Sequence, residues 1–238
     1  VVVDFIGYTK TQVEGRINIF KGKCNQYIYI SSTAVFATAG EKIINEESPL
    51  INQLWQYGVD KVACENTVIT LCKENNIPYT IVRPGVTYDN TRIPFRLMPP
   101  YSYHWTIVER IKNKKPLIIW NDGQNAVTIL RVEDFAVGLV GLFNNSKSFN
   151  EKFNITGDER YHWKEILDTL GEIVGTKVTY QDLPIEFVAK QIPNRKGEIL
   201  VGGSDGYDLI YDNTKIKNVV PDFKTTIFLK EGLKKTVE

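Results

Sequence analysis

The chain has 238 residues, 42% hydrophobic and 24% charged, with a formal net charge of +1. That length allows one large domain, or one domain plus a lobe. The near-neutral balance gives no electrostatic reason to expect nucleic acid as a partner, and no run is apolar and long enough to span a membrane. Three cysteines, Cys24, Cys64 and Cys72, lack metal-ligand spacing, and their odd number argues against a disulfide framework. They read as reduced thiols of a cytoplasmic protein. The chain opens Val1-Val2-Val3 without Met, so the lack of a signal peptide says little about the native N-terminus.

Val1–Ile6, apolar except for Asp4, reads as a buried parallel strand. Gly7-Tyr8-Thr9 is a turn, and Thr11–Phe20 a helix with Val13, Ile17 and Phe20 inward, closed by Gly22. Tyr27–Ile30 is a second strand, ending at Ser31, Ser32 and Thr33. Trp55–Cys72 is the clearest helix, with an apolar stripe of Trp55, Val59, Val62, Ala63 and Ile69. Tyr57 and Lys61 stand one turn apart on it and share a face beside that stripe, at the rim of a cleft. Pro78 ends the helical stretch, and Tyr79–Val82 is the next strand. This alternation predicts an α/β fold built on a doubly wound parallel sheet.

From about Thr91 prolines and aromatics crowd the stretch Ile93 to Trp105, which reads as a packed loop or, alternatively, a substrate-pocket wall; His104 within it is given no chemistry. Trp105–Lys112 is a helix whose basic end, Lys112-Asn113-Lys114-Lys115, suits the helix dipole. Leu117–Trp120 and Val127–Leu130 are strands around the turn Asn121-Asp122-Gly123. Phe135–Phe143 is a helix opened by the acidic pair Glu133-Asp134. Phe153–Ile155 is a short strand, Trp163–Val174 an amphipathic helix ended by Gly175, and Val178–Tyr180 a strand. A short helix starts at Asp182-Leu183-Pro184. Arg195-Lys196-Gly197 and the glycine run Val201 to Gly206 read as flexible loop; the run lacks the ending of a phosphate loop. Thr225–Lys235 is the last helix.

A hydroxyl at a strand end facing a Tyr–Lys pair is an acid–base device for alcohol and ketone chemistry. The phenol is a weak acid, and a nearby ammonium stabilises its phenolate. The motif Ile30-Ser31-Ser32-Thr33-Ala34-Val35-Phe36-Ala37, the Tyr57–Lys61 pair 25 residues after Ser32, and Arg83-Pro84-Gly85-Val86-Thr87-Tyr88 together resemble the extended short-chain dehydrogenase/reductase family, which includes the NAD-dependent epimerases and dehydratases. Asp122-Gly123-Gln124 through Val132-Glu133-Asp134 and the ending Glu231-Gly232-Leu233-Lys234-Lys235-Thr236 resemble it more loosely.

The resemblance implies a Rossmann-like doubly wound sheet with a smaller C-terminal substrate lobe. Residues 1–92 would be a partial nucleotide-binding domain, 93–126 the first part of the lobe, 127–156 a return to the core, and 157–238 the second part of the lobe. It implies Ser32, Tyr57 and Lys61 as the catalytic set, converging on one cleft. It implies NAD or NADP as cofactor, touched by Gly7, Tyr8, Thr9, Ser31, Tyr57, Lys61, Arg83, Pro84 and Gly85. Thr33, Val86 and Tyr88 would face the substrate, with no metal. Many sugar epimerases carry asparagine at the place of Val86, and valine cannot make that hydrogen bond.

The family's opening GxxGxxG turn, which holds the cofactor pyrophosphate at a helix N-terminus, is not in this sequence, and Val1 resembles the start of the family's fourth strand. Residues 1–238 alone are therefore expected to bind NAD(P) poorly and to need a cap on the Val1–Ile6 edge. The function expected is an NAD(P)-dependent epimerase, dehydratase or reductase acting on a sugar-nucleotide-like or other hydroxyl or carbonyl substrate. The alternatives are a non-catalytic nucleotide- or RNA-binding member of the fold, or an inactive fragment. Relatives often pair through a helix like Trp55–Cys72, so the resemblance admits a homodimer.

Overall fold

The computed structural model describes residues 1–36, 43–50, 55–97, 103–201 and 208–238. The expectations for Pro99 to Ser102 and for the glycines of 202–206 lie outside the described residues.

Strands β1 (Val2–Asp4), β2 (Tyr27–Ile30), β3 (Tyr79–Pro84) and β7 (Glu151–Ile155) form a four-stranded sheet in the order β1-β2-β3-β7, every pairing parallel. The doubly wound sheet expected from the strand–helix alternation is therefore present. Period-two alternation along β2 divides the layers. Tyr27 and Tyr29 pack against Val13 and Ile17 of α1 (Lys10–Phe20) and Cys64, Val68 and Cys72 of α2 (Gln56–Glu74). Ile28 and Ile30 face the opposite way, toward Phe135 and Leu139 of α4 (Val132–Gly141) and Ile216 of α8 (Thr214–Val219). Residues 214–219 thus reach back from the expected lobe to cover the sheet.

β1 is shorter than the run Val1–Ile6 and less buried than expected. It is hydrogen-bonded to β2 alone among the described strands, and Phe5 and Ile6 are exposed. The strand stops where the buried Asp4 carboxylate turns inward, accepting from the Ile6 N–H at 3.0 Å and the Tyr27 hydroxyl at 2.7 Å. α1 begins on a reciprocal cap: the Thr9 side chain accepts from the Gln12 N–H, and the Gln12 side chain accepts from the Thr9 N–H.

The buried face of α2 differs from the expected stripe. Gly58, Lys61, Cys64, Glu65, Val68 and Cys72 are inside, while Val59 is 40% exposed. Two charged residues on the inner face hide its period from a hydrophobicity count, and both are held there by fixed partners.

At Gly85 the chain leaves one sheet for another. β4 (Val86–Tyr88) pairs parallel with β6 (Ala126–Arg131), and β6 pairs antiparallel with β8 (Arg160–His162). Neither β4 nor β8 was expected as a strand. A pair of short parallel strands, β5 (Leu117–Ile119) and β9 (Tyr180–Asp182), completes the sheets; β9 lies two residues later than expected, in register with β5. Helices α3 (Thr106–Lys112), α5 (Trp163–Val174) and α9 (Leu229–Val237) enclose the largest apolar cluster. α6 (Ile185–Gln191) and α7 (Lys196–Leu200) form a smaller one. Residues 195–197, expected as loop, are helical, and Arg195 grips Glu198 through two hydrogen bonds of 2.9 and 2.7 Å. α9 starts later than expected because the backbone N–H groups of Thr225 and Thr226 are held by Asp158 and Asp134.

The two larger sheets meet where Gly85 donates to the Ile155 carbonyl at 3.1 Å and Thr156 Oγ1 donates to Thr128 Oγ1 at 2.7 Å. A Cβ on the buried Gly157 would collide with the Ile129 carbonyl oxygen, which is backbone and cannot step aside. Gly157→Ala should therefore cost about 1–3 kcal/mol, read as a lower urea midpoint with an unchanged slope.

Candidate active site

β2 ends beneath the site, and Ser32 there has extended backbone. Its Oγ accepts from the Ala34 N–H at 3.1 Å, capping the short 3-10 turn Thr33–Val35. This fixes Ser32 and Thr33 on the wall of a pocket of about 140 Å³, which Gly85, Val86, Trp55, Arg92 and Arg96 also line. Parallel sheets commonly place ligands at the carboxyl ends of their strands, and this pocket sits at the ends of β2 and β3.

Lys61 reaches under the same strand end. It is 2% exposed, and its Nζ donates to the carbonyls of Gly7 at 3.0 Å and Ile30 at 2.9 Å. Three tyrosine rings surround the ammonium, with centroids at 4.9 Å (Tyr29), 5.0 Å (Tyr8) and 5.8 Å (Tyr57). Burial pushes the Lys61 pKa below its ordinary value, against opposing pulls from neighbouring acidic groups. Burial likewise raises Tyr29, whose hydroxyl donates to the Gly7 carbonyl at 2.8 Å. Tyr57 is half-buried and stacks on Trp55 with ring centroids 4.9 Å apart. Trp55 in turn lines the pocket of Ser32.

One turn after Lys61, Glu65 anchors a buried network. Arg83 donates to it through Nε at 2.9 Å and Nη2 at 2.7 Å, and the Ser31 hydroxyl donates at 2.6 Å. Arg83 Nη1 donates to the Glu46 carbonyl at 3.1 Å, and the guanidinium lies 4.8 Å from the Phe36 ring centroid. The side chains of Ser31 and Arg83 are thus committed to this network and turned away from the pocket. Tyr88, 2% exposed, packs instead over Arg131 at 5.3 Å and against α9. Of the expected substrate contacts, Thr33 and Val86 line the pocket. Gly7 and Tyr8 meet Lys61, and Thr9 caps α1. Gly85 lines the pocket, while Pro84 is the last residue of β3.

Several residues were not singled out from sequence. Glu65 had a signal in its four-residue spacing from Lys61. Arg92 and Arg96, four apart, had none beyond charge within an apolar stretch. Trp163, Glu198, Leu209 and Tyr211 come to the pocket from distant segments. Among the described residues no group of His, Cys, Asp or Glu could hold a metal ion, and no helix is long and apolar enough to cross a membrane.

Residues 9–156, more than half the chain, match the model of the NAD dependent epimerase/dehydratase family. An uncharacterised UDP-glucose epimerase of Bacillus subtilis is 25% identical over 153 residues, 64% of this chain and 46% of that protein. The 2'-dehydrokanamycin reductase of Streptomyces kanamyceticus is 19% identical over 171 residues, 72% of this chain and 47% of that protein. The chain spans about half the length of these curated relatives. A crystal structure of UDP-glucuronic acid 4-epimerase from Bacillus cereus, in complex with UDP-glucuronic acid and NAD, superposes with a TM-score of 0.74 at 23% identity. That match covers 95% of this chain and 65% of that one, and at this identity it shows a shared fold. The family read from the motifs and the Rossmann-like sheet are both borne out.

Two measurements test the buried charges. Breaking the ion pair by Arg83→Met or Glu65→Leu should cost about 3–5 kcal/mol, because each change strands an uncompensated charge, while the double variant should cost less than either single one. Urea unfolding of the four proteins closes the cycle. Glu46 provides a pH test. Its carboxylate accepts from the Asn154 N–H at 2.8 Å, and burial raises its pKa above the ordinary 4.5. Just above that value the folded state keeps a proton that the unfolded state has lost, so this group's contribution to stability falls as pH rises through the window. Glu46→Gln removes the effect. Relative to the parent, the variant should be more stable near pH 7 than near pH 4.5, measured by urea midpoints at both.

Proposed function

The chain belongs to the NAD dependent epimerase/dehydratase family, and on that premise we propose that it carries the acid–base centre of an NAD(P)-dependent epimerase, dehydratase or reductase. Its substrate would be a sugar nucleotide or a similar hydroxyl or carbonyl compound. The observation that carries this reading is Lys61: a buried ammonium, held by two backbone carbonyls, with the Tyr57 ring 5.8 Å away and stacked on Trp55, which lines the pocket of Ser32.

Tyr57 is the proton donor and acceptor. The Lys61 charge favours its phenolate. The Ser32 hydroxyl orients the substrate oxygen and shares its proton. An ammonium has three donors, and two of Lys61's are spent on Gly7 and Ile30. The third suits a ribose hydroxyl, so the residues present fit the nicotinamide end of the cofactor. The cofactor, when bound, supplies the hydride acceptor and donor. Gly85 and the Gly7-Tyr8-Thr9 turn are the further contacts in this reading; Arg83 and Ser31 act by holding the frame.

Arg92 and Arg96 line the same pocket, and Arg96 Nε is buried with no hydrogen-bond partner among the described residues. An anionic substrate, such as a diphosphate or a sugar acid, would satisfy it. Val86 offers an apolar contact there. In this reading residues 1–92 and 127–156 carry the nucleotide-binding part, and 93–126 and 157–238 the substrate lobe, with 214–219 serving the sheet. A homodimer through the α1–α2 side and a cytoplasmic location complete the proposal.

The native protein, with NAD and UDP-glucose or UDP-glucuronic acid, should yield the C4 epimer by NMR. Tyr57→Phe should keep the fold and lose about 10²–10⁴-fold in rate, and Lys61→Met should lose rate and cofactor affinity together. Unchanged turnover in Tyr57→Phe would mean that another residue moves the proton.

A further inference from the structure

A second pocket, of about 330 Å³, opens among α3, β5 and the segment after α6. Its volume falls in the range of small-molecule sites. The walls are mostly carbon, from Phe95, Leu97, Ile107, Leu117, Ile118 and Ile192, with Thr106 the one uncharged polar residue among them. Such a surface has little to offer a hydrogen-bonding base or a bare sugar. Phe95 also lines the Ser32 pocket, so the two cavities are neighbours.

Two guanidiniums border the apolar walls. Arg195 is neutralised by its paired hydrogen bonds to Glu198. Arg110 is not neutralised. Its Nε and Nη2 each donate to the Pro116 carbonyl, at 3.2 and 2.5 Å, and no carboxylate among the described residues pairs with it. Two of its five donors are used, so three N–H groups and a full charge remain at the pocket. Lys114 and Lys115, both exposed, follow within a few residues and add to the positive potential. Of the basic residues at the end of α3, Arg110 is the one that lines the cavity.

We propose that this pocket binds a small amphipathic acid: a compact aromatic or branched aliphatic group on the apolar walls, its carboxylate on Arg110. Carboxylate geometry matches the planar fork of the guanidinium. The apolar body supplies most of the affinity, and the charge selects acids over neutral analogues. The inference does not depend on the assignment of Ser32, Tyr57 and Lys61.

Calorimetry with 2-naphthoate and its neutral analogue 2-naphthamide tests it, with backbone NMR shifts to locate each. One naphthoate should bind per chain, about fivefold tighter than the amide, the value of a half-exposed charge pair. Arg110→Met should erase that difference and leave the weaker apolar binding. Ile192→Glu, at a half-buried wall position, should weaken naphthoate more than the amide, and it reads the same site if Arg110→Met fails to fold. Arg96→Met, in the Ser32 pocket, should leave naphthoate binding unchanged. Equal affinity for acid and amide would overturn the proposal. So would naphthoate binding that ignores both Arg110→Met and Ile192→Glu, or that is lost in Arg96→Met instead.

Discussion

The fully buried pair of Arg83 and Glu65 is the constraint to which the site's other positions answer. Two charges taken out of water are a net cost unless nearly every hydrogen-bonding position is filled. Here the Glu65 carboxylate takes both arms of Arg83 and the Ser31 hydroxyl, while Arg83 spends a further donor on Glu46 and lies against the Phe36 ring. Four separate pieces of chain are thereby tied to one point: the end of β2, the middle of α2, the end of β3 and the segment 43–50. The geometry tolerates little slip, because moving any one piece exposes a charge to an apolar interior. Lys61 lies one turn from Glu65, so the same tie sets how far α2 can slide or turn beneath Ser32.

The pocket follows from that frame and from the change of sheet at Gly85. β3 runs parallel to β2 and β7 as far as Pro84; the chain then passes to β4, which pairs with β6. A gap opens where neighbouring strands part company. It is floored by Ser32, Thr33 and Gly85 and walled by segments from the lobe, including Trp163, Leu209 and Tyr211. Gly85 and Gly157 allow the two sheets to approach: a Cβ on Gly85 would press on Thr156 and one on Gly157 on the Ile129 carbonyl. Ser32 and Lys61 thus come from the parallel sheet and its helix, and much of the pocket's wall comes from later segments.

This division explains what could be read from the sequence. β2 and β3 were legible as short apolar runs ending at polar residues, and α5 because its apolar period and its helix coincide. The Tyr57–Lys61 pair and Ser32 were legible because their spacing is local. The inner face of α2 was not, since Lys61 and Glu65 look like solvent-facing residues until their partners, 31, 54 and 18 residues away, are known. β4 follows β3 directly across Pro84-Gly85 and β8 is a polar Arg-Tyr-His triplet, so neither stands out as a separate apolar run. Residues 195–197 read as loop because a glycine and two cations outweigh the Arg195–Glu198 pair that steadies the turn. Arg83 and Tyr88 lie in a motif that suggests ligand contact, yet their side chains are consumed by packing; only backbone and smaller neighbours remain for the pocket.

Lys61 shows how the turn after β1 sets the surroundings of a buried charge. Burial alone would drive the ammonium toward its neutral form, and the direction of its pKa shift records that pressure. What opposes it is the pull of neighbouring acidic groups, Asp4 and Glu65 among them, while two carbonyls and three tyrosine faces lie against the ammonium. One carbonyl, one tyrosine hydroxyl bond and one ring belong to or depend on the turn after β1. The Gly7 carbonyl accepts from both Lys61 and Tyr29, and Tyr8 covers the ammonium from the exposed side. Gly7 itself has no room for a side chain, since a Cβ would press on Asp4, Val13 and Tyr29 within 3 Å. Asp4 in turn holds that turn through Ile6 and braces β2 through Tyr27. The charge on Lys61 is therefore only as secure as the Asp4–Gly7–Tyr8 turn. A change that displaces this turn takes one carbonyl and one aromatic face from the buried ammonium at once.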